Sequence, residues 1–337
     1  MAVARPVVQT LCAALLIGLS VLMAQDAIAQ GIGADSKRIG AIDLRSVQIG
    51  ARDQLGVVDD AGTGVRVTEP DSALSRSQPF RDATRAVVRI TYTRNDGRPS
   101  VCTGVAVDEN FVLTAGHCAC GDPLSYSVMR YASDLTSQVP VSLVAPPIRF
   151  LRDACRVPGQ TVPGFDLALL KTQSGSFAEQ WLIPITHMVH VYRDRPINRL
   201  TVMGYGWTDG AALPDIALAG HVEIGSHFCS RAPASCARFQ EFILSDASLN
   251  GDGGPTDTCG GDSGGPVLYA RPDLSSQNEQ ELLVVGITSR ALPNGGNDNA
   301  LGCGGGGIYT AIARNDVLAW LERSGVEVRQ RTFTAPP

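Results

Sequence analysis

Short apolar runs alternate with polar loops along the chain from about residue 86 onward. Six of these short runs are typical of strands: AVVRITYT, CTGVAV, FVLTAGH, DLALLK, LTVMGYG and LLVVGITS. Between them lie loops rich in Gly, Pro and Asn, residues that interrupt strands. Many short strands separated in this way predict an all-β sandwich or barrel.

One helical pattern follows the strands. In NDVLAWLERSG, the residues Val317, Leu318 and Leu321 recur at helical spacing and form an apolar face. Asn315 or Asp316 is placed to cap the N-terminus of this helix, and Gly325 is placed to end it. The sequence therefore predicts a C-terminal α-helix.

The first 66 residues follow a different pattern. A positive charge precedes an apolar run that reaches Met23, and Ala27-Ile28-Ala29 fits the small-residue pattern of a signal-peptide cleavage site. We expect a signal peptide over residues 1–29; the alternative is an uncleaved membrane anchor, because the apolar stretch is close to the lower length limit for one. Residues 30–66, rich in Gly, Asp and Arg, are interpreted as a pro-segment or N-terminal tail.

Composition and charge narrow the class of protein. The 337 residues are 44% hydrophobic, which suits a globular core, and the net charge of -5 argues against a broad nucleic-acid-binding surface. No segment after the signal is apolar enough to span a bilayer. We therefore expect a secreted or periplasmic protein that binds no nucleic acid and, once the signal is removed, does not insert stably into a membrane.

The cysteines are expected to form disulfides. Loss of Cys12 with the signal peptide leaves eight of the nine cysteines, an even number that allows four bridges in an oxidising compartment. The alternative is a metal site, for which His221, His227, Cys229 and Cys236 form the one cluster of interest. Their spacing matches no zinc pattern, so we expect neither a metal nor another cofactor.

The stretch TCGGDSGGP, residues 258–266, surrounds Ser263 with four glycines. Such a glycine cluster is often only a structural turn, but it also satisfies G-x-S-x-G, the nucleophile motif of α/β-hydrolases. That fold places its histidine after the serine, whereas all five histidines here precede Ser263. If Ser263 is a nucleophile, its base comes from upstream, and His117 in FVLTAGHCAC is the best candidate.

The chemistry of a serine nucleophile requires two further groups. A serine hydroxyl reacts at neutral pH only when an imidazole accepts its proton, and a carboxylate must hold that imidazole in the correct tautomer. Asp166, at the start of the apolar run DLALL, offers such a carboxylate. The other interpretation of Asp166 is a residue that merely caps a strand.

TAGHC, FDLALLK and GDSGGP, in this order, resemble the three active-site segments of the trypsin-like (chymotrypsin-fold) serine peptidases, with bacterial secreted members the nearest in pattern. The resemblance implies two antiparallel six-stranded β-barrels, with the active site between them, in a peptidase domain over residues 67–326. Residues 327–337 are then a C-terminal tail. The resemblance also implies that His117, Asp166 and Ser263 form the catalytic triad, and that the backbone N–H groups of Gly261 and Ser263 form the oxyanion hole.

The same resemblance predicts the substrate pocket. Asp257 lies six residues before the nucleophile, at the base of the primary specificity pocket, and a carboxylate there favours Arg or Lys. Gly307 matches the wall position that keeps the pocket open, and Ser289 lies in the segment that binds the substrate backbone as an added strand. Arg290 and Ala291 replace the usual Trp-Gly of that segment, which gives Asp257 an alternative partner in Arg290.

Disulfide pairs follow from the resemblance as well. It pairs Cys102 with Cys118 and Cys259 with Cys303. The residual pairs are Cys229 with Cys236 and Cys120 with Cys155.

Activation is the point at which the chain departs from the family pattern. Asp262 is expected to be buried, and relatives pair this carboxylate with an α-amino group freed by proteolysis. No Ile-Val-Gly-Gly start is present, but VRVTEP is similar to the mature start of bacterial glutamyl-endopeptidase-like members. We therefore expect a zymogen that is cut after Arg66 to expose Val67.

The sequence as a whole predicts an exported serine endopeptidase. We expect it to act as a monomer on protein or peptide substrates, through an acyl-enzyme and after Arg or Lys. Two alternatives use the same residues: a catalytically silent secreted relative that serves as a binding module, and an esterase with the same triad.

Overall fold

A computed structural model describes the parts of the chain that carry most of the predicted strands. The described residues are 83–152, 155, 161–194, 199–207, 213–229, 235–245, 258–272, 280–292 and 306–330. The predicted signal peptide and pro-segment, Asp257 and Cys303 lie outside them. No helix in these ranges is long and apolar enough to cross a membrane.

A seven-stranded antiparallel sheet forms the N-terminal half of the described chain, in the order β5-β4-β1-β2-β3-β7-β6. The strand bounds are β1 Val87–Thr93, β2 Pro99–Asp108, β3 Phe111–Thr114, β4 Ser127–Tyr131, β5 Gln138–Val141, β6 Ile148–Arg149 and β7 Ala168–Lys171. Two 3-10 helices accompany it, Gly116–Ala119 after β3 and Glu179–Trp181 after β7.

The prediction of a closed six-stranded barrel is wrong for this first sheet. Within the described residues β5 and β6 share no ladder, and the chain after β5 reaches β7 only through an isolated bridge between Leu143 and Thr172. Pro146 and Pro147 then separate this bridge from β6. Because proline has no N–H to donate, these two residues cannot continue a hydrogen-bonded ladder from the bridge to β6.

A closed barrel of six strands, in the order β10-β13-β12-β11-β8-β9, forms the C-terminal half. Its strand bounds are β8 Arg199–Gly204, β9 Leu218–Ser226, β10 Glu241–Ser245, β11 Pro266–Pro272, β12 Gln280–Ala291 and β13 Gly307–Ala311. This barrel agrees with the prediction. Among the largest fully buried side chains of the described residues, Phe242, Tyr269 and Tyr309 lie on strands of this barrel, and Tyr205 directly follows β8.

Two α-helices have both of their ends among the described residues, α1 Met188–Asp194 and α2 Asn315–Arg323. Helix α2 is the predicted C-terminal helix, and Gly325 follows it with a φ of +88°. The predicted cap is wrong, because Arg314 is the N-cap residue and makes no side-chain capping bond. The carboxylate of Asp316 instead accepts hydrogen bonds from the Arg314 guanidinium at 2.7 and 3.0 Å.

Candidate active site

His117 lies in the 3-10 helix that follows β3. The predicted strand FVLTAGH ends at Thr114, and the next residues turn so that Gly116 packs against the chain near Asp166. A Cβ on Gly116 would lie 3.0 Å from the Leu167 nitrogen and 3.1 Å from Asp166 Oδ1. The absence of a side chain at Gly116 therefore lets the His117 turn approach the Asp166 loop.

Both carboxylate oxygens of Asp166 face His117. Oδ1 accepts the His117 backbone N–H at 2.8 Å, and Oδ2 lies 2.9 Å from His117 Nδ1. The Ser289 hydroxyl donates to Oδ2 at 2.6 Å. Because an ionised carboxylate only accepts, Nδ1 carries the imidazole proton and Nε2 is left as the acceptor.

Burial and charge act in opposite directions on this pair. Asp166 is 2% exposed, and burial alone would raise its pKa, but the charge and hydrogen bonds of His117, together with the Ser289 hydroxyl, outweigh burial and hold that pKa below its ordinary value. For His117, burial lowers the pKa, but the charge and hydrogen bond of Asp166 raise it by a larger amount. The pKa of His117 is therefore above its ordinary value. The pair is thus suited to an ionised Asp166 next to a basic imidazole.

The loop that carries Ser263 is docked against the His117 turn. The Ser263 carbonyl accepts the Thr103 backbone N–H at 2.8 Å, and the Cys118 sulfur lies 3.6 Å from the same oxygen. Gly264 has a φ of +87°, and a Cβ there would clash with Thr103 and Thr114. Glycine at 264 therefore lets the loop that carries Ser263 reach the first sheet.

Gly261 and Ser263 each carry a backbone N–H group in this loop. Within the described part of the chain, neither Gly261 nor Ser263 donates its N–H to a backbone carbonyl. The Gly261 carbonyl is held in place by the Thr103 hydroxyl at 2.9 Å. Paired N–H groups on a fixed loop can bind a developing oxyanion.

Asp262 is buried, as predicted, with 2% exposure. Its carboxylate accepts the backbone N–H groups of Gly206 at 2.6 Å and of Cys259 at 2.8 Å. These bonds attach the loop before Ser263 to the residues that follow β8. The buried carboxylate is thus partly compensated by backbone donors.

Ser289 and Gly307 lie on neighbouring strands of the barrel, β12 and β13. Ser289 was predicted only as part of the substrate-binding segment, and its hydroxyl contact with Asp166 is an additional feature. At Gly307, the first residue of β13, a Cβ would lie 2.9 Å from the Tyr309 hydroxyl oxygen, so a side chain there would require the Tyr309 ring to shift. Asp257 lies outside the described residues.

Glu241 is a site residue that sequence reasoning missed. It is buried on β10 and forms an ion pair with Arg290, with a shortest N–O distance of 2.7 Å. The available signal was a carboxylate directly before an apolar run, EFILS, the same pattern that pointed to Asp166. Arg290, predicted as an alternative partner for Asp257, is therefore paired with Glu241.

Three of the predicted disulfides are present: Cys102–Cys118, Cys120–Cys155 and Cys229–Cys236. Cys259 is also disulfide-bonded, and its predicted partner Cys303 lies outside the described residues.

The cysteine bridges also bear on the metal alternative. The bridge between Cys229 and Cys236 removes two thiolates from the zinc alternative, and His221 pairs with the Thr201 hydroxyl at 3.1 Å. His117 lies close to Cys102 and Cys118, but both of those sulfurs are in a bridge. These cysteines therefore serve structure and offer no thiolate ligand.

A family model described as Trypsin matches residues 76–321. The match covers most of the chain and includes His117, Asp166 and Ser263.

Proposed function

The chain belongs to the trypsin family of serine-type peptidases, and from that premise we propose that it is a secreted serine endopeptidase that cleaves protein or peptide substrates after Arg or Lys. The observation that carries the proposal is the hydrogen-bonded series Ser289–Asp166–His117, which lies next to the loop that holds Ser263. A strand-capping Asp166 would not need two separate bonds to one histidine.

In the proposed mechanism His117 is the general base. Its Nε2 accepts the Ser263 hydroxyl proton as Oγ attacks the scissile carbonyl carbon, and Asp166 stabilises the imidazolium that forms. The oxyanion is bound by the N–H groups of Gly261 and Ser263. His117 then protonates the leaving amine, and a water activated by the same imidazole hydrolyses the acyl-enzyme and frees Ser263.

Cleavage after Arg or Lys is supported by the pairing of Arg290. Its guanidinium donates to Glu241, to the Ser235 carbonyl and to Ser289. The Glu241 carboxylate neutralises the charge of Arg290, the cation that the sequence offered as a competitor for Asp257. We propose that Asp257 keeps its charge for the substrate, in a pocket that Gly307 leaves open.

Export is supported by the disulfides, since bridges of this kind persist in oxidising compartments. We propose that the signal peptide is removed after Ala29 and that the zymogen is activated by a cut after Arg66. N-terminal sequencing should find Gln30 on the exported precursor and Val67 on the active form. Any other N-terminus on the active form would remove the proposed activation site.

The experiment that tests the proposed function compares three peptide amides that differ only in Arg, Glu or Phe at the residue before the scissile bond. We expect hydrolysis of the Arg substrate alone, and a loss of about 10⁶ in kcat in a Ser263→Ala control. Cleavage after Glu or Phe would keep the triad and contradict the assignment of Asp257. Hydrolysis of esters without amides would indicate an esterase, and no hydrolysis by the activated form would indicate a binding module.

A further inference from the structure

The hydrogen bond between Ser289 and Asp166 has a direction that Arg290 determines. Arg290 Nη1 donates to Ser289 Oγ at 3.1 Å, and that Oγ lies 2.6 Å from Asp166 Oδ2. A guanidinium has no acceptor, so Ser289 can only accept from it. The single hydroxyl proton of Ser289 is then directed to Asp166, and the positive charge next to Oγ strengthens that donation.

Glu241 holds the Arg290 guanidinium in a fixed orientation. Its two oxygens accept Nη1 at 2.7 Å and Nη2 at 2.9 Å, which is the bidentate geometry of a rigid Arg–carboxylate pair. Nη2 also donates to the Ser235 carbonyl. The Glu241 side chain is fully buried, and its negative charge is compensated by the guanidinium of Arg290.

The same carboxylate also fixes the loop that leads to Asp166. Glu241 Oε1 accepts the Gly164 backbone N–H at 2.8 Å, and Oε2 accepts that of Ala237 at 2.7 Å. Arg314 donates to the Gly164 carbonyl at 2.6 Å from the other side. Glu241 therefore connects the Asp166 loop and the Arg290–Ser289 pair.

We propose that Arg290, held by Glu241, is a positioning residue that fixes Ser289 as a hydrogen-bond donor to Asp166 and so orients the His117 imidazole for catalysis. This inference rests on the proposed function of the triad. It assigns a role to the residue that replaces the usual tryptophan of this segment. A residue that served only to pack the barrel would leave the titration and orientation of His117 unchanged.

The charges around His117 provide a second way to test this role, through the pKa of the imidazole. Asp166 before β7 raises the pKa of His117, whereas Arg290 on β12 and Arg94 after β1 lower it. Tyr92 on β1 is the other titratable group in this surrounding, through its interaction with Asp166. Removal of either arginine charge should therefore raise the His117 pKa and move the acid limb of kcat/KM to higher pH.

The test compares Arg290→Gln, Arg290→Lys and Arg94→Gln in the activated full-length chain. Arg290→Gln should lower the plateau kcat about 10-fold, the effect of losing one charged hydrogen bond, with the acid limb at higher pH. Arg290→Lys keeps the charge but loses the fork, so its plateau kcat should fall while its acid limb stays in place. Arg94→Gln, at an exposed cation that interacts with Asp96, should shift the limb slightly and leave the plateau unchanged.

A measurement without turnover separates this inference from the proposed function. In the Ser263→Ala background, proton NMR of the His117 Nδ1–H resonance should show a changed chemical shift and a raised pKa when Arg290 is replaced by Gln. If these changes occur and the activated chain with Ser263 intact hydrolyses none of the three peptide amides, the positioning role stands and the proposed function fails. A wild-type plateau and acid limb in folded Arg290→Gln would overturn the inference; if that variant does not fold, a wild-type plateau in Arg290→Lys would overturn it.

Discussion

At the scale of single residues, the two oxygens of Asp166 have separate partners on one histidine. Oδ1 accepts the His117 backbone N–H and Oδ2 faces Nδ1. An asparagine offers only one acceptor oxygen, so Asp166→Asn would satisfy one of these donors and favour the tautomer with the proton on Nε2. We expect a loss in kcat of about 10⁴-fold with little change in KM, measured by steady-state kinetics.

A matched control for Asp166→Asn is Ser289→Ala, which removes one donor to Oδ2 and leaves both His117 contacts in place. Its loss should be far smaller, about 10-fold. Equal losses in the two variants would mean that Asp166 does not set the tautomer.

The pH dependence of activity follows from the His117 pKa. The base must be neutral to accept a proton, so kcat/KM should fall as the pH decreases through the pKa of His117. Asp166 raises that pKa above its ordinary value, in excess of the lowering by burial and by the two arginines. A pH–rate profile should therefore place the acid limb above about 6.5, and a limb below that value would contradict the account.

At the scale of elements, Thr103 on β2 connects the first sheet to the barrel. Its hydroxyl donates to the Gly261 carbonyl and accepts the Tyr205 backbone N–H, both at 2.9 Å. Thr103→Val keeps the shape but leaves both buried backbone groups without this partner. We expect it to lower the free energy of unfolding by about 1–3 kcal/mol and to reduce kcat, because Gly261 loses its support.

Thr91→Val on β1 is the matched control for Thr103→Val, since the Thr91 hydroxyl makes only an exposed contact of 3.5 Å. Its effect on the free energy of unfolding should be within about 0.5 kcal/mol, measured by denaturant titration. If the two variants unfold alike, the connection through Thr103 does not contribute to stability.

The hydrophobic pattern predicted the positions of strands better than it predicted which strands pair in a sheet. All six predicted strand segments are present, as β1, β2, β3, β7, β8 and β12, because short apolar runs bounded by polar loops suit buried strands. Strands such as β9, LAGHVEIGS, and the two-residue β6 have no such run and were not predicted. Whether the first sheet closes depends on contacts between distant residues, which no local pattern contains.

In the candidate site, too, residues within short motifs were predicted, whereas a contact between distant residues was not. Motifs around His117, Asp166 and Ser263 were readable because each is short and characteristic. The pair of Glu241 and Arg290 was not readable, because the two residues come together only through the strand order of the barrel, in which β13 lies between β10 and β12. Asp257 stays a prediction.

At the scale of the whole molecule, the site combines groups from both halves of the fold. His117 and Asp166 come from the loops of the first sheet, whereas Ser263 and Ser289 come from the barrel. Contacts from Thr103 and Cys118 to the Ser263 carbonyl hold these groups next to each other. Catalysis should therefore require the two halves to be folded together.

The central claim is that Ser263 is a nucleophile activated by His117. The most direct measurement is labelling of the activated protein with a fluorophosphonate, followed by mass spectrometry of its peptides. We predict one adduct per chain, on Ser263, that is absent in Ser263→Ala and forms much more slowly in His117→Ala. A folded, activated chain that takes up no label, or that is labelled equally fast after Ser263→Ala, would contradict the claim.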